Sequence, residues 1–355
     1  MILLYILVAV LIFGILIMTH ELGHFVVAKL CGVRVNEFSI CMGPKIFQKK
    51  IGETTYSLRC LPIGGFCAME GEDEKSQDPR AFTSAKAWKR AAILVAGSAM
   101  NFLTGFLIMV VLHSTLSTVV TTKIEGFYEG CPLESEQGLQ AGDEIYRIDG
   151  HRVYLNDNIT MLLGRNADGV YDLEIIRDGK HMYLHDFPMV KQNYETDQGT
   201  AYLYGLTFAT EECSFGTVLE QAWYRTIDFG RMVWLGLSDL IGGLVSVKEM
   251  SGPVGIVSVI SETGKASATT ADAVLNIAYL AAFIAVNLAV MNMLPIPALD
   301  GGRVFFLIIT TVAEKLFRRK IDPKYEGYIH AAGMILLLLL IAFITLQDVW
   351  KLFLN

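Results

Sequence analysis

Four long stretches of this 355-residue sequence carry almost no charge, and that pattern restricts the fold more than any other feature. From Met1 to Ala28 the only formal charge is Glu21, while Ala91 to Thr122, Ala273 to Leu299 and Ala331 to Gln347 have none. Crossing the hydrocarbon core of a bilayer takes roughly 20 apolar residues, and a tilted helix needs more. The fourth stretch is the shortest, but Leu346 to Val349 extend it into the interface. Hydrophobic residues make up 53% of the chain and charged residues 18%, too few to cover so much apolar surface in water. The first stretch has no basic residue before Lys29 and no small-residue cleavage site after a short apolar core, so it reads as a retained helix rather than a signal peptide. The expected fold is a polytopic α-helical membrane protein with about four transmembrane helices.

Lys and Arg orient these helices, because cytoplasmic loops are enriched in them. Eleven lie from Lys29 to Arg90, between the first two stretches, and Arg303, Lys315, Arg318, Arg319, Lys320 and Lys324 lie between the last two. Both loops are expected on the cytoplasmic side, with the termini and the segment from about 120 to 270 outside. A net charge of −7 without a dominant basic cluster sets nucleic acid aside as a partner. Cys31, Cys41, Cys60 and Cys67 fall in the first cytoplasmic loop, where thiols stay reduced. Cys131 and Cys213 fall outside, and they can pair only if the fold brings them into disulfide geometry.

The one carboxylate in the first stretch belongs to Thr19-His20-Glu21-Leu22-Gly23-His24, which contains His-Glu-x-x-His. Residues four apart on a helix lie nearly one above the other, so both imidazoles can reach one Zn²⁺ while Glu21 stands beside the first to take a proton from water. The pattern also arises by chance, so the motif alone decides nothing. Its setting adds weight: an ionisable group inside an apolar span is expensive, and normally faces a bundle interior or a watery cavity and serves function. Two histidines leave a catalytic zinc short of a third protein ligand. The candidate is Asp300, which closes the third stretch in Asn292-Met293-Leu294-Pro295-Ile296-Pro297-Ala298-Leu299-Asp300-Gly301-Gly302. Pro295 and Pro297 interrupt helical hydrogen bonding, and a membrane tolerates such backbone only against protein or a cavity. The competing reading is that Asp300 caps the next helix at the interface.

His20-Glu21-x-x-His24 near the start, with Asn292-x-x-Pro295-x-Pro297-x-Leu299-Asp300-Gly301 near the end, resembles the site-2 protease family of intramembrane zinc metalloproteases. Phe38-Ser39-Ile40-Cys41-Met42-Gly43-Pro44, Pro62-Ile63-Gly64-Gly65-Phe66, Gly252-Pro253-Val254-Gly255-Ile256 and Asn287-Leu288 resemble its bacterial branch, the regulator of sigma-E protease type. Two departures are visible: Cys41 stands where Gly is usual, and Ser98 in Ala96-Gly97-Ser98-Ala99-Met100-Asn101 stands where Pro is common. Neither is a ligand position. The resemblance implies His20, His24 and Asp300 as zinc ligands, Glu21 as the catalytic base, and Asn287 and Asn292 as residues that hold substrate backbone. It also implies the partners: transmembrane segments of single-span membrane proteins such as anti-sigma factors or remnant signal peptides, met within the lipid bilayer of the plasma membrane, with the active site toward the cytoplasm.

Gly138-Leu139-Gln140-Ala141-Gly142-Asp143-Glu144-Ile145, followed by Ile148-Asp149-Gly150-His151-Arg152-Val153, resembles a PDZ domain. Asp178-Gly179, a hairpin signal, separates two further strand-like runs, and only one such repeat is present. Together with the apolar stretches, the resemblance divides the chain as follows: a first span with His-Glu-x-x-His (1–30), a β-rich cytoplasmic or membrane-associated loop (31–90), a second span (91–118), one extracytoplasmic PDZ-like α+β domain (119–190), a region with an amphipathic helix (191–270), a third span with Asn-x-x-Pro-x-Pro-x-Leu-Asp-Gly (271–302), a cytoplasmic loop (303–329) and a fourth span (330–350). Residues 33–68 alternate in places between Gly and Pro punctuation and are expected as short strands and hairpins.

Two other classes fit parts of the pattern. A membrane metal-binding or transport protein needs the ligands but has no need of a base beside them, and an inert PDZ-bearing scaffold needs neither Glu21 nor Asp300 at apolar depth. His113, His151, His181, His185 and His330 are isolated or sit at strand spacing, and are not expected to ligate metal. The basic loops generate a topological prediction. In intact cells carrying a chain without its native cysteines, a cysteine introduced near Asp157 reacts with an impermeant maleimide and one near Lys75 does not; the reverse pattern overturns the orientation.

Overall fold

A computed structural model describes residues 2–72, 76–166, 168–196, 199–246, 252–317 and 323–354. Lys75, Arg318, Arg319 and Lys320, used above for orientation, lie outside the described residues. In chain order the elements begin with α1 (Ile2–Cys31), β1 (Val35–Ile51), β2 (Thr54–Met69) and α2 (Ala87–His113). A middle section holds β3 (Thr118–Phe127), β4 (Glu144–Ile148), β5 (His151–Arg152), α3 (Asn156–Leu163), β6 (Val170–Arg177), β7 (Lys180–Pro188), β8 (Gln192–Thr196), β9 (Gly199–Leu203) and β10 (Leu206–Glu212). The chain then continues with α4 (Phe215–Ile241), α5 (Pro253–Ala266), α6 (Thr270–Asn292), α7 (Asp300–Phe317) and α8 (Pro323–Leu354). Contacts divide it into two compact units, residues 1–108 with 229–355, and residues 109–228.

Four helices among the described residues are long and apolar enough to cross a membrane: Leu3–Cys31, Ala87–His113, Thr270–Asn292 and Gly327–Lys351. The second is shorter at its C-terminal end than the uncharged run suggests. Helix α2 stops at His113, and the β-branched stretch from Thr118 enters β3 instead. Helix α6 ends at Asn292, just before Pro295 and Pro297, each of which lacks the N–H a helix needs. The expected loop after Asp300 is instead a helix. In α7 the residues Phe305, Ile308, Ile309, Val312 and Leu316 form an exposed apolar stripe at helical spacing.

The expected short strands of residues 33–68 appear as segments of two long, bent strands. Residues 37–40 of β1 pair on one side with 55–58 and on the other with 65–68, while 45–51 pair with 54–59. The order across this small sheet is therefore 45–51, 54–59, 37–40, 65–68, which leaves 65–68 at an edge. The bends fall where the backbone is left-handed, at Cys41 (φ 68°), Gly43 (φ 86°) and Gly64 (φ 84°). At the far turn Glu53 bonds Lys29 and Arg80, and those two hydrogen bonds hold its carboxyl down at about 2.

The unit of residues 109–228 is built on an antiparallel sheet in the order β10-β3-β4-β6-β7, with β5 paired to β4. Ile124, Leu139, Ile145, Ile148, Leu163, Leu173 and Ile175 fill its core. Asp178 and Gly179 both take positive φ between β6 and β7, as a tight hairpin turn requires. Cys131 and Cys213 are free thiols, and Cys131 Sγ faces the Tyr204 carbonyl at 3.7 Å. Asn158 accepts hydrogen bonds from the Tyr154 and Leu155 N–H groups and donates to the buried Asp228 carboxylate at 2.8 Å, tying α3 to α4.

A bidentate ion pair joins Asp143 and Arg177 in this unit. Arg177 Nε and Nη2 each reach a different carboxylate oxygen at 2.7 Å, and the Gln140 N–H donates to the same carboxylate at 2.8 Å. Asp143 is 1% exposed, so truncating it strands a largely buried guanidinium, a change that costs about 3–5 kcal/mol. Asp143→Ala therefore exposes residues 109–228 of the full-length protein to limited proteolysis while its zinc content stays unchanged. Wild-type protease resistance would show that the ion pair is dispensable to the unit.

Candidate metal centre

Helix α1 carries His20, Glu21 and His24 on an otherwise apolar span, and one helical turn sets the two imidazoles face to edge with ring centroids 4.8 Å apart. Asp300 opens α7, and its Oδ2 lies 3.1 Å from His20 Nε2 and 3.2 Å from His24 Nε2. The two Nε2 atoms are themselves 3.2 Å apart. Asp300 is thus the first residue of a helix, and its carboxylate meets the two imidazoles. The Asn292–Asp300 segment makes this meeting possible. Gly301 and Gly302 fold against its backbone so closely that an added Cβ would lie 2.3 Å from Met293 C and 2.2 Å from Ile296 O.

Two further glycines let α1 and α2 approach at the same level. A Cβ on Gly23 would lie 2.3 Å from the Ala96 carbonyl oxygen, and one on Gly97 would lie 2.4 Å from His24 Nε2 and 2.7 Å from His20 Cε1. The close approach brings the Ile93 carbonyl to His24, whose Nδ1 donates to it at 2.8 Å. Since that nitrogen carries the proton, Nε2 of the neutral ring presents a lone pair. Asp300 Oδ2 is buried without a hydrogen-bond partner although two imidazole nitrogens stand near it. Two imidazole nitrogens and a carboxylate oxygen, all within 4.8 Å of one another, form a donor set that fits a divalent cation of the zinc type.

Glu21 shares this cavity of about 380 Å³, whose lining also includes Phe66, Cys67, Glu72 and Arg303. The edge segment of β2 runs past it: Cys67 lines the same cavity, and a Cβ on Gly65 would come within 3.6 Å of Glu21 Cγ. Arg303, one turn beyond Asp300, forms an ion pair with Glu72. A second cavity of about 420 Å³, lined by Val95, Phe102, Trp234, Ala289 and Met293 among others, is almost wholly apolar and has no titratable group in its lining. Chemistry therefore belongs to the first.

Of the residues singled out from sequence, His20, Glu21, His24 and Asp300 come together, whereas Asn287 and Asn292 stand half-buried on α6 and do not line the cavity. His181 and His185 lie on β7, where they bond Glu174 and Asp172 at 2.7 and 3.2 Å. Sequence reasoning passed over Gly23, Gly97, Cys67, Glu72 and Arg303. A glycine inside an apolar span is a visible signal of close helix packing, but the sequence does not say against what.

Comparison with known proteins agrees with this chemistry. The chain is 33% identical over 347 residues to a Clostridium perfringens protein that bears the provisional name of zinc metalloprotease, covering 97% of this chain and 98% of that one. A Clostridium acetobutylicum protein with the same kind of name is 34% identical over 347 residues and 97% of each chain. Regulator of sigma-W protease RasP of Bacillus subtilis is 27% identical over 426 residues, 97% of this chain and 98% of its own. The sequence model of Peptidase family M50 matches residues 8–340. The chain belongs to Peptidase family M50, the site-2 proteases, and is a membrane zinc metalloprotease.

Proposed function

We propose that this protease hydrolyses peptide bonds inside the transmembrane segments of single-span membrane proteins, with His20, His24 and Asp300 holding the zinc and Glu21 acting as general base. One observation carries the reading: the ligand atoms of two histidines from an apolar span and an aspartate from the start of α7 lie within 4.8 Å of one another, with Glu21 in the same cavity. When bound there, zinc supplies Lewis-acid polarisation of the scissile carbonyl and lowers the pKa of water. Glu21 takes a proton from the attacking water and returns it to the leaving amine. The Ile93 carbonyl keeps the His24 proton on Nδ1.

A helical substrate must unwind before its carbonyl can be attacked. The edge of residues 65–68 beside Glu21 offers strand pairing to the opened segment; Asn287 and Asn292, which stand on α6 outside the cavity, would meet substrate backbone only beyond the reacting bond. The substrate class is that of anti-sigma factors or remnant signal peptides. The basic residues between the first two and the last two spans support an active site toward the cytoplasm, with the segment from about 120 to 270 outside. The Gly-rich turn before β4 and the hairpin β6-β7 support reading the unit of residues 109–228 as a single PDZ domain, which selects substrates rather than cutting them.

Purified protein holds about one zinc per chain, as a single catalytic site requires. Elemental analysis finds less metal in His24→Ala and Asp300→Ala. It also finds less in Gly97→Ala, which removes no ligand but sets a methyl 2.4 Å from His24 Nε2. Unchanged zinc in both folded ligand variants would sink the ligand set.

Glu21→Gln keeps shape and hydrogen-bonding reach but loses the proton acceptor. Its zinc content stays at the wild-type level while cleavage of a single-span substrate falls by about 10² to 10⁴-fold. Near-normal cleavage by this variant would eliminate Glu21 as the base, whereas a metal carrier would keep its transport.

A further inference from the structure

Between the end of α6 and Asp300 no helix holds the chain, yet the position of the Asp300 carboxylate depends on this segment. Ala298, two residues before Asp300, has φ +80°, a left-handed conformation that an L side chain rarely adopts and that persists only when its surroundings impose it. The surroundings here are α8. His330 Nδ1 accepts the Ala298 N–H at 3.0 Å. Three residues further along α8, a Cβ on Gly333 would lie 2.4 Å from Pro297 Cβ and 2.8 Å from the Pro297 carbonyl oxygen, so the α8 backbone rests directly on Pro297. The Phe306 ring of α7 stands edge-on to His330 with centroids 5.4 Å apart.

We infer that His330 is a positioning residue for Asp300. Its Nδ1 holds the left-handed Ala298 in place and thereby fixes where the next helix begins and where its first carboxylate points. The inference rests on the reading of Asp300 as a zinc ligand. His330 is not among the residues that line the cavity, but the Ala298 it holds is. Its ring must present an unprotonated Nδ1 to an N–H donor, a demand that a side chain present only for packing does not face.

The test compares His330→Phe, which keeps an aromatic ring and loses the acceptor, with His330→Asn, whose amide oxygen can accept the same N–H. Asp300→Ala is the control. Full-length variants in detergent are titrated with a chelator to measure zinc retention, and are reloaded with Co²⁺ so that absorption of the metal reports its ligand shell. His330→Phe is expected to keep its helix content, release zinc roughly 10-fold more readily and shift the cobalt spectrum, because partners of metal ligands contribute about 10- to 100-fold in affinity. His330→Asn is expected to recover most of both. A wild-type affinity and spectrum in His330→Phe, or equal loss in His330→Phe and His330→Asn, overturns the proposal. Should His330→Phe fail to fold, Gly333→Ala presses on Pro297 instead, and normal zinc retention in that variant overturns it equally. If Asp300→Ala also leaves retention and spectrum unchanged, the ligand reading itself has failed.

Discussion

Three electron-rich atoms, two imidazole nitrogens and one carboxylate oxygen, meet beside an apolar span, and the rest of the fold answers to that meeting. Such groups repel one another and lose their hydration when buried, so the arrangement persists only where a cation and fixed neighbours compensate. The neighbours are supplied from three directions. Helix α2 presses in through Gly97 and offers the Ile93 carbonyl, β2 passes Glu21 along its edge, and α7 delivers Asp300 from a segment that cannot itself be helical. Each approach depends on residues with little or no side chain at the point of closest contact.

This geometry explains which parts of the site were legible in the sequence. His20, Glu21 and His24 are four residues apart at most, so helical geometry alone relates them, and Asp300 is conspicuous as the first charge after an uncharged run interrupted by two prolines. Gly97 lies 73 positions from His24 and reveals its role only when α1 and α2 cross. His330 could be judged from sequence only as a possible ligand, and an isolated one. Nothing in its neighbours announces a bond to the backbone of Ala298. The pairing of Glu72 with Arg303 is equally non-local.

At the level of the fold, the apolar runs marked the spans because a bilayer demands length and apolarity together. They did not mark the end of α2, where absence of charge continues into a β-branched strand. Helix α7 is a different case. The spacing from Phe305 to Leu316 was present in the sequence, but the basic residues after it drew the whole stretch into a loop. The bent pair β1 and β2 could not be resolved from alternation, because its two strands fold back so that residues 37–40 have partners on both sides.

Helix α8 is fixed to its unit near both ends. At one end it meets Pro297 and Ala298; at the other, the buried Asp348 carboxylate accepts the N–H groups of Gly252 and Gly255 at 2.8 and 2.9 Å, at the start of α5. Between these attachments much of its apolar surface is exposed, Leu336, Leu339 and Leu346 included. His330 and Asp348 are 18 residues apart. That interval is about five whole turns and roughly 27 Å of rise, close to the thickness of a hydrocarbon core. Both attachments therefore fall on one stripe of the helix, about one hydrocarbon-core thickness apart. The residue count between them acts as a phase: most side chains along the way are interchangeable among apolar types, but a single inserted residue would swing one attachment about 100° away from its partner.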